Sequence, residues 1–372
     1  MKRNLLTIAF ALLTTLSNGQ QTTATDSAGS QQAQPPRRFR PVIGELTTSP
    51  GVHDPVMAKE GDTYYVFHTG AGIWSSKDMI TWKRERPVFD SSNTPTWLKG
   101  AGFSRPGYWA PDIFFHNGQW LLYYSNSAFG KNTSAIGVAT NKTLNPSSPD
   151  YKWVDQGKIV QTYPGKTNYN AIDPAVIYDD KTKSPWMTYG SFWHGMQLVK
   201  LSRDGLRLAD PNDSIKLNTV SSRMTDPSAP NPPSNGVHPA DAGGNAIEAP
   251  FLFKKGKYYY LFVSFDYCCS GVKSDYKIAV GRSTKIQGPY LDKNGVDMAR
   301  GGGTIIREGD KKEFYAVGHN SAYTFNKIDY LVYHGYSVAE NAASKLVIET
   351  MEWDKNGWPV VGKRITPKPA GK

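Results

Sequence analysis

One short pattern occurs five times along this chain, and it limits the possible folds more than any other feature. An apolar run often broken by proline is followed by a Gly, Asn or Asp turn and then by an aromatic run. The first copy is His53-Asp54-Pro55-Val56-Met57, a turn at Gly61-Asp62, and Tyr64-Tyr65-Val66-Phe67. The second is Trp109-Ala110-Pro111-Asp112-Ile113-Phe114, a turn at Asn117-Gly118, and Trp120–Tyr124. The third runs Ile172-Asp173-Pro174-Ala175-Val176, then Asp179–Lys183, then Trp186–Tyr189; the fourth runs Ile247–Leu252, Lys255-Gly256 and Tyr258–Phe262. A weaker fifth has Gly318–Tyr323 and Tyr330–Tyr333.

Each copy reads as a β-hairpin, and further strand-like runs follow at 72–76, 134–140, 196–201 and 276–283. The copies recur about every 60 to 75 residues, longer than the ~40–50 of common propeller repeats, which leaves room for loops. Composition agrees: aromatics are 12 % of the chain, Gly and Pro number 35 and 25, and no long stretch keeps a helical period. Radial repetition of small antiparallel sheets fits best. The expected fold is an all-β, five-bladed β-propeller over 39–372, with the active site at one end of the central channel. A β-sandwich would also use these strands, but it gives no reason for acids to recur at one position of the repeat.

Those acids are Asp54, Asp173 and Glu248, each within two residues before the proline of a different copy. In a propeller the innermost strands line the channel, so residues at their starts converge from distant parts of the chain. The prolines are expected to hold the preceding residue extended as it enters the strand. Converging carboxyls suit glycosidic hydrolysis: one donates a proton to the leaving oxygen, while another activates water or attacks carbon. A third can raise the donor's pKa by like-charge repulsion. Asp112 follows its proline instead of preceding it, and reads as structural.

Five segments carry a specific resemblance: VHDPVMAKEGDTYYVFHTG (52–70), YWAPDIFFHNGQWLLYYSNSAFG (108–130), NYNAIDPAVIYD (168–179), NAIEAPFLFKKGKYYYLFVSFDYCCSG (245–271) and VGHNSAY (317–323). The chain resembles the arabinanases of glycoside hydrolase family 43. The resemblance implies inverting cleavage of internal α-1,5-L-arabinofuranosidic bonds, with Asp54 as general base, Glu248 as general acid and Asp173 as modulator of the acid's pKa. It also implies substrate contacts from Asn170, Ala171 and Ile172 and from Gly190, Ser191 and Phe192. Trp109 and Phe129 would either stack on sugar faces or pack in the core, and His53 would position the glycone. His319 alone reads as a channel histidine bonded to the acids; the resemblance makes it the ligand of a central, water-rich calcium site, with no organic cofactor. Within the same fold, an exo-acting arabinofuranosidase or a xylan-directed relative is the alternative. Outside it, the alternative is a sugar-binding propeller without catalysis.

Residues 1–20 read as a signal peptide: Lys2 and Arg3 precede an apolar run too short to span a bilayer. The polar stretch 21–38 is expected to be a disordered leader. A secreted or periplasmic monomer acting on arabinan follows, with no membrane or nucleic-acid partner. The formal net charge of +11 does not argue otherwise, because the basic residues are scattered and lack the clustered, aromatic-interleaved pattern of nucleic-acid binders. Three sequons open at Asn132, Asn141 and Asn212. The two cysteines, Cys268 and Cys269, are adjacent. Their Cα atoms lie ~3.8 Å apart across a trans peptide, tighter than an ordinary disulfide's ~4.4–6.8 Å, whereas export favours oxidation. Bonded and reduced forms both remain open from sequence.

Overall fold

The computed structural model describes residues 42–100, 107–163, 166–214, 216, 218–226 and 245–368. The expected signal peptide and leader, and residues 227–244 of the Pro/Gly-rich segment before Glu248, lie outside them. Blade 1 contains β1 (Leu46–Thr47), β2 (Val56–Glu60), β3 (Thr63–His68), β4 (Gly72–Ser76) and β5 (Trp82–Arg84), with β2 innermost and β1 on the outer edge. Blade 2 contains β6 (Trp109–His116), β7 (Gln119–Asn126), β8 (Ala135–Asn141) and β9 (Val154–Gln161). Blade 3 contains β10 (Ala175–Tyr178), β11 (Pro185–Tyr189), β12 (Met196–Lys200) and β13 (Thr219–Ser221). Blade 4 contains β14 (Ile247–Lys255), β15 (Tyr258–Phe265), β16 (Lys277–Ser283) and β17 (Thr304–Glu308). Blade 5 contains β18 (Phe314–Phe325), β19 (Ile328–Ser337), β20 (Ala343–Trp353) and β21 (Pro359–Arg364).

All pairings within the blades are antiparallel, and the five hairpins expected from sequence are the innermost pairs. At Asn117-Gly118 both φ angles are positive (50° and 77°), as a two-residue type I′ turn requires. The inner strands contact one another in a ring, β2 to β6 to β10 to β14 to β18 and back to β2. This is a five-bladed propeller. Closure is non-covalent: Gly51 bridges to Lys345, and the Leu346 N–H donates to the Pro50 carbonyl at 3.2 Å. Among the described residues, no helix is long and apolar enough to cross a membrane.

Stacked blades explain why the second strands read as nearly continuous apolar runs. Side chains alternate across a strand, yet here both faces are covered by a neighbouring blade. Tyr65 and Phe67 enter the core shared with blade 2, whereas Tyr64 and Val66 enter the core shared with blade 5. Leu121 and Tyr123 face blade 3, while Leu122 and Tyr124 face blade 1. Tyr259, Leu261 and Val263 face blade 3, and Tyr260 and Phe262 face blade 5. Truncating one fully buried aromatic here, such as Phe262, costs about 3–5 kcal/mol. Of the three sequons only Asn212 is exposed; Asn132 and Asn141 are buried.

Candidate active site

Five backbone positions in a strained conformation build the site. Asp54, Ala110, Asp173, Ala249 and His319 have φ of 57°, 40°, 57°, 55° and 52°, all in the left-handed region. Each occupies the same place in its blade, where the chain enters the inner strand. The expectation that the prolines keep the preceding residue extended is therefore corrected. In blades 2, 4 and 5 the register shifts between Trp109 and Asp112, Glu248 and Phe251, and Gly318 and Ser321, so two residues oppose one on the partner strand. Such a bulge re-aims a side chain, and the surrounding ladder holds the strained residue that proline's own preference would not produce. By this register Asp54, Asp173 and His319 are equivalent, and Glu248 stands one residue earlier, at the position of His53, Trp109 and Ile172.

The amide of each bulge residue is held by the preceding blade. The Ala110 N–H donates to Thr69 Oγ1 at 2.9 Å, Asp173 N–H to Ser125 Oγ at 3.1 Å and His319 N–H to Ser264 Oγ at 2.8 Å. The Asp54 N–H donates to His334 Nδ1 at 3.2 Å, closing the circle from blade 5 to blade 1. Blade 3 offers Gly190 at this position, where an added Cβ would lie 2.7 Å from the Gly195 carbonyl oxygen. There the Asp173 carboxylate itself accepts the Ala249 N–H, at 3.1 Å.

Asp54, Asp173, Glu248 and His319 are buried and line one cleft. Asp54 Oδ1 lies 2.7 Å from His53 Nδ1 and 2.9 Å from His319 Nδ1, and Oδ2 accepts from the Thr69 hydroxyl. Burial alone would raise its pKa, but the charges and hydrogen bonds of His319 and His53 hold it well below the usual carboxylate range. For Asp173, burial dominates; Glu248 and Asp54 add to it against the opposing His319, and the pKa is pushed well up. His319 is penalised by burial, yet Asp54, Asp173 and Glu248 together push it up to about 9. Glu248 accepts from the Ser191 hydroxyl at 2.8 Å and from the Tyr276 hydroxyl at 2.6 Å. Burial and the nearby Glu248 raise Tyr276, so this hydroxyl keeps its proton and remains a donor.

The cleft also takes in His53, Trp109, Phe129, Asn170, Ile172, Ser191 and Phe192 from the sequence-based set. Ala171 is fully buried and Gly190 spends its N–H on the Ile172 carbonyl; neither lines the cleft. Asp112 accepts the Val176 N–H at 2.7 Å, tying blade 2 to blade 3 in keeping with a structural role. Sequence reasoning missed Tyr276, His334, Trp193 and Thr69. The signal for Thr69 and His334 was present: aligned from the bulge residues, Thr69, Ser125, Ser264 and His334 form one polar column on the second strands.

Among the described residues, no three ligand-type side chains gather round His319. The two such groups found are His53–Asp54–His334 and His53–Cys268–Cys269. The sulfurs of the second are joined in a disulfide and offer no thiolate. With Nδ1 of His319 on Asp54, only Nε2 could reach a cation, and only on a ring that has given up the proton its acidic neighbours favour; Ca²⁺ there would draw most of its 6–8 oxygens from water. The donor set round His319 therefore fits an ion that keeps most of its water.

The sequence profile of Glycosyl hydrolases family 43 matches residues 47–359, nearly the whole propeller. The chain belongs to this family. Among family 43 relatives, it is 48 % identical over 318 residues to the extracellular exo-α-(1→5)-L-arabinofuranosidase of Cellvibrio japonicus, covering 84 % of this chain and 87 % of that one. It is 38 % identical over 316 residues to extracellular endo-α-(1→5)-L-arabinanase 1 of Bacillus subtilis, covering 83 % and 87 %. The structure of Cellvibrio cellulosa α-L-arabinanase complexed with arabinohexaose superposes with a TM-score of 0.77 at 46 % identity, over 84 % of this chain and 96 % of that one.

Proposed function

We propose that this family 43 chain is a secreted hydrolase of α-1,5-linked L-arabinan that inverts configuration at the cleaved bond. The observation that carries the reading is electrostatic. One cleft holds a carboxylate kept ionised, Asp54, and a carboxyl driven toward its protonated form, Asp173, beside Glu248. Glycosidic hydrolysis needs such a division of charge. Secretion and arabinan as substrate rest on the names of the relatives in Cellvibrio and Bacillus.

Asp54 takes a proton from the water that attacks the anomeric carbon. Glu248, aligned by Ser191 and Tyr276, gives a proton to the leaving oxygen. Asp173 keeps a proton within reach of Glu248 and fixes the Ala249 amide. Trp109 and Phe129 offer faces for arabinose, and Asn170, Ile172, Ser191 and Phe192 line the same cleft as Asp173 and Glu248. A calcium ion at His319 Nε2, in a mostly aqueous shell, would replace that ring's proton as the positive charge near the acids.

Cleavage of internal bonds is the first reading of the mode of action. Exo action is the second, and the higher identity to the exo-acting relative favours it over the endo-acting one. A time course on debranched linear arabinan separates them. A spread of oligosaccharides with falling viscosity marks endo action, and a single short product from the start marks exo action. Retention of configuration in the first-formed product would overturn the assigned roles, and no hydrolysis of arabinan would overturn the substrate.

A further inference from the structure

The loop after β15 brings the two cysteines to the cleft. Cys268 and Cys269 are bonded to each other, and both line the cleft beside Tyr267. Cys269 is exposed and Cys268 half-buried. Hydrogen bonds fix the loop: Tyr267 N–H donates to Asp275 Oδ1 at 2.9 Å, Ser270 N–H to Ser274 Oγ at 3.1 Å and Cys269 N–H to Tyr336 Oη at 3.0 Å. Tyr336 Oη lies 2.8 Å from His53 Nε2, and His53 Nδ1 faces Asp54. The Cys269 sulfur is 3.7 Å from that same His53 Nε2. The disulfide thus stands against the histidine that flanks the general base.

Two ordinary explanations for a disulfide fail here. Adjacent cysteines enclose no chain segment, so they remove almost none of the loop entropy by which disulfides stabilise a fold. Metal binding fails for want of a thiolate. What the bonded pair does offer is a surface: uncharged, polarisable and closed into a small ring with the peptide between its residues, which removes their rotamer freedom. Such a surface suits the C–H face of a furanose ring. It continues an apolar lining in which Phe129 and Tyr267 are 66 % and 36 % exposed.

We propose that the Cys268–Cys269 disulfide is a sugar-contacting wall of the cleft, next to His53, and that it serves substrate affinity and not the chemical step. This rests on the arabinan reading above. Arabinohexaose is titrated calorimetrically into Glu248→Gln and into Glu248→Gln/Cys268→Ser/Cys269→Ser proteins. The expected result is a Kd raised about three- to tenfold, the scale of losing one good apolar contact. With an active Glu248, Cys268→Ser/Cys269→Ser raises KM for arabino-oligosaccharides by a similar factor, and the loss in kcat/KM lies in KM.

Wild type treated with dithiothreitol should behave like the serine variant. The reagent closes its own disulfide as two electrons and two protons pass to the cysteines, and the exposed Cys269 lets it in. This arm carries the test if the serine variant does not fold, as judged by its Tm. Equal Kd values, or a loss confined to kcat, overturn the proposal. The two readings separate cleanly. Hydrolysis of arabinan with disulfide-independent binding overturns the wall alone; disulfide-dependent binding without hydrolysis overturns the hydrolase alone. Failure of arabinohexaose to bind Glu248→Gln overturns both.

Discussion

Asp54 and Asp173 occupy the same position of the same repeat, share a φ of 57°, and are both buried, yet their surroundings drive them in opposite directions. Asp54 lies between the imidazoles of His53 and His319 and stays ionised. Asp173 has an amide N–H as its hydrogen-bond donor and two acids for neighbours, and its pKa rises. Burial is common to both and cannot be the cause of the difference. The partner charges decide, and apart from His53, the chain neighbour of Asp54, those come from other blades: His319 from blade 5 and Glu248 from blade 4. A propeller can therefore hold one copy of a repeated residue ionised and drive another toward its protonated form by varying what the adjacent blades present.

Substitutions can break this contrast, most severely at Asp54. Asp54→Asn removes the proposed proton acceptor, and kcat on linear arabinan should fall on the order of 10³-fold, measured against folded protein by reducing-sugar assay. His319→Gln should come next, because it removes the main cation facing Asp54. The Asp54 pKa is depressed by His319, so activity requiring its ionised form is lost as pH falls through that low value. Without His319 the acid limb of kcat/KM moves to higher pH. Stability runs the other way: the His319 pKa is raised from 6.5 to about 9, so its contribution is complete below 6.5 and lost as pH rises through 9. Wild-type Tm should fall across that window, and the His319→Gln Tm should stay flatter.

Asp173→Asn sharpens the comparison from the other side. The substitution removes the carboxyl whose raised pKa holds a proton beside Glu248, and the alkaline limb of kcat/KM moves down. An unchanged alkaline limb would remove Asp173 from the proton reservoir. Tyr276→Phe deletes one donor to Glu248 and should lower kcat/KM about fivefold, matching one hydrogen bond of ~1 kcal/mol. The smallest effect is expected from Ser264→Ala. It leaves the His319 amide without its partner at a cost of about 1 kcal/mol, seen as a Tm lower by about 2–4 °C.

The hairpins, the blade count and the gathering of Asp54, Asp173 and Glu248 could all be read from sequence, because turn residues and aromatic runs act locally and the repeat supplies the symmetry. The bulges could not. Proline chemistry argues for an extended residue before it, whereas the inner strands impose φ near +55° at Asp54, Asp173 and Ala249 through ladders that no local rule contains. Likewise nothing near Tyr276 marks it, since its bond to Glu248 reaches from the start of β16 to β14 across the intervening β15. The cysteine pair shows the same limit. Their adjacency gave conflicting arguments, and only the folded loop shows them bonded and facing the cleft.

The circle of amide bonds carries a consequence for how such an enzyme can change over generations. Because each bulge residue is clasped from the blade before it, no blade carries its own acid independently. A blade exchanged from a distant homologue would arrive with the wrong clasp for the next acid in the ring. Loops at the cleft rim are free of that constraint and can be traded one at a time. Specificity should therefore drift quickly in this lineage, while the inner ring changes only in matched neighbours.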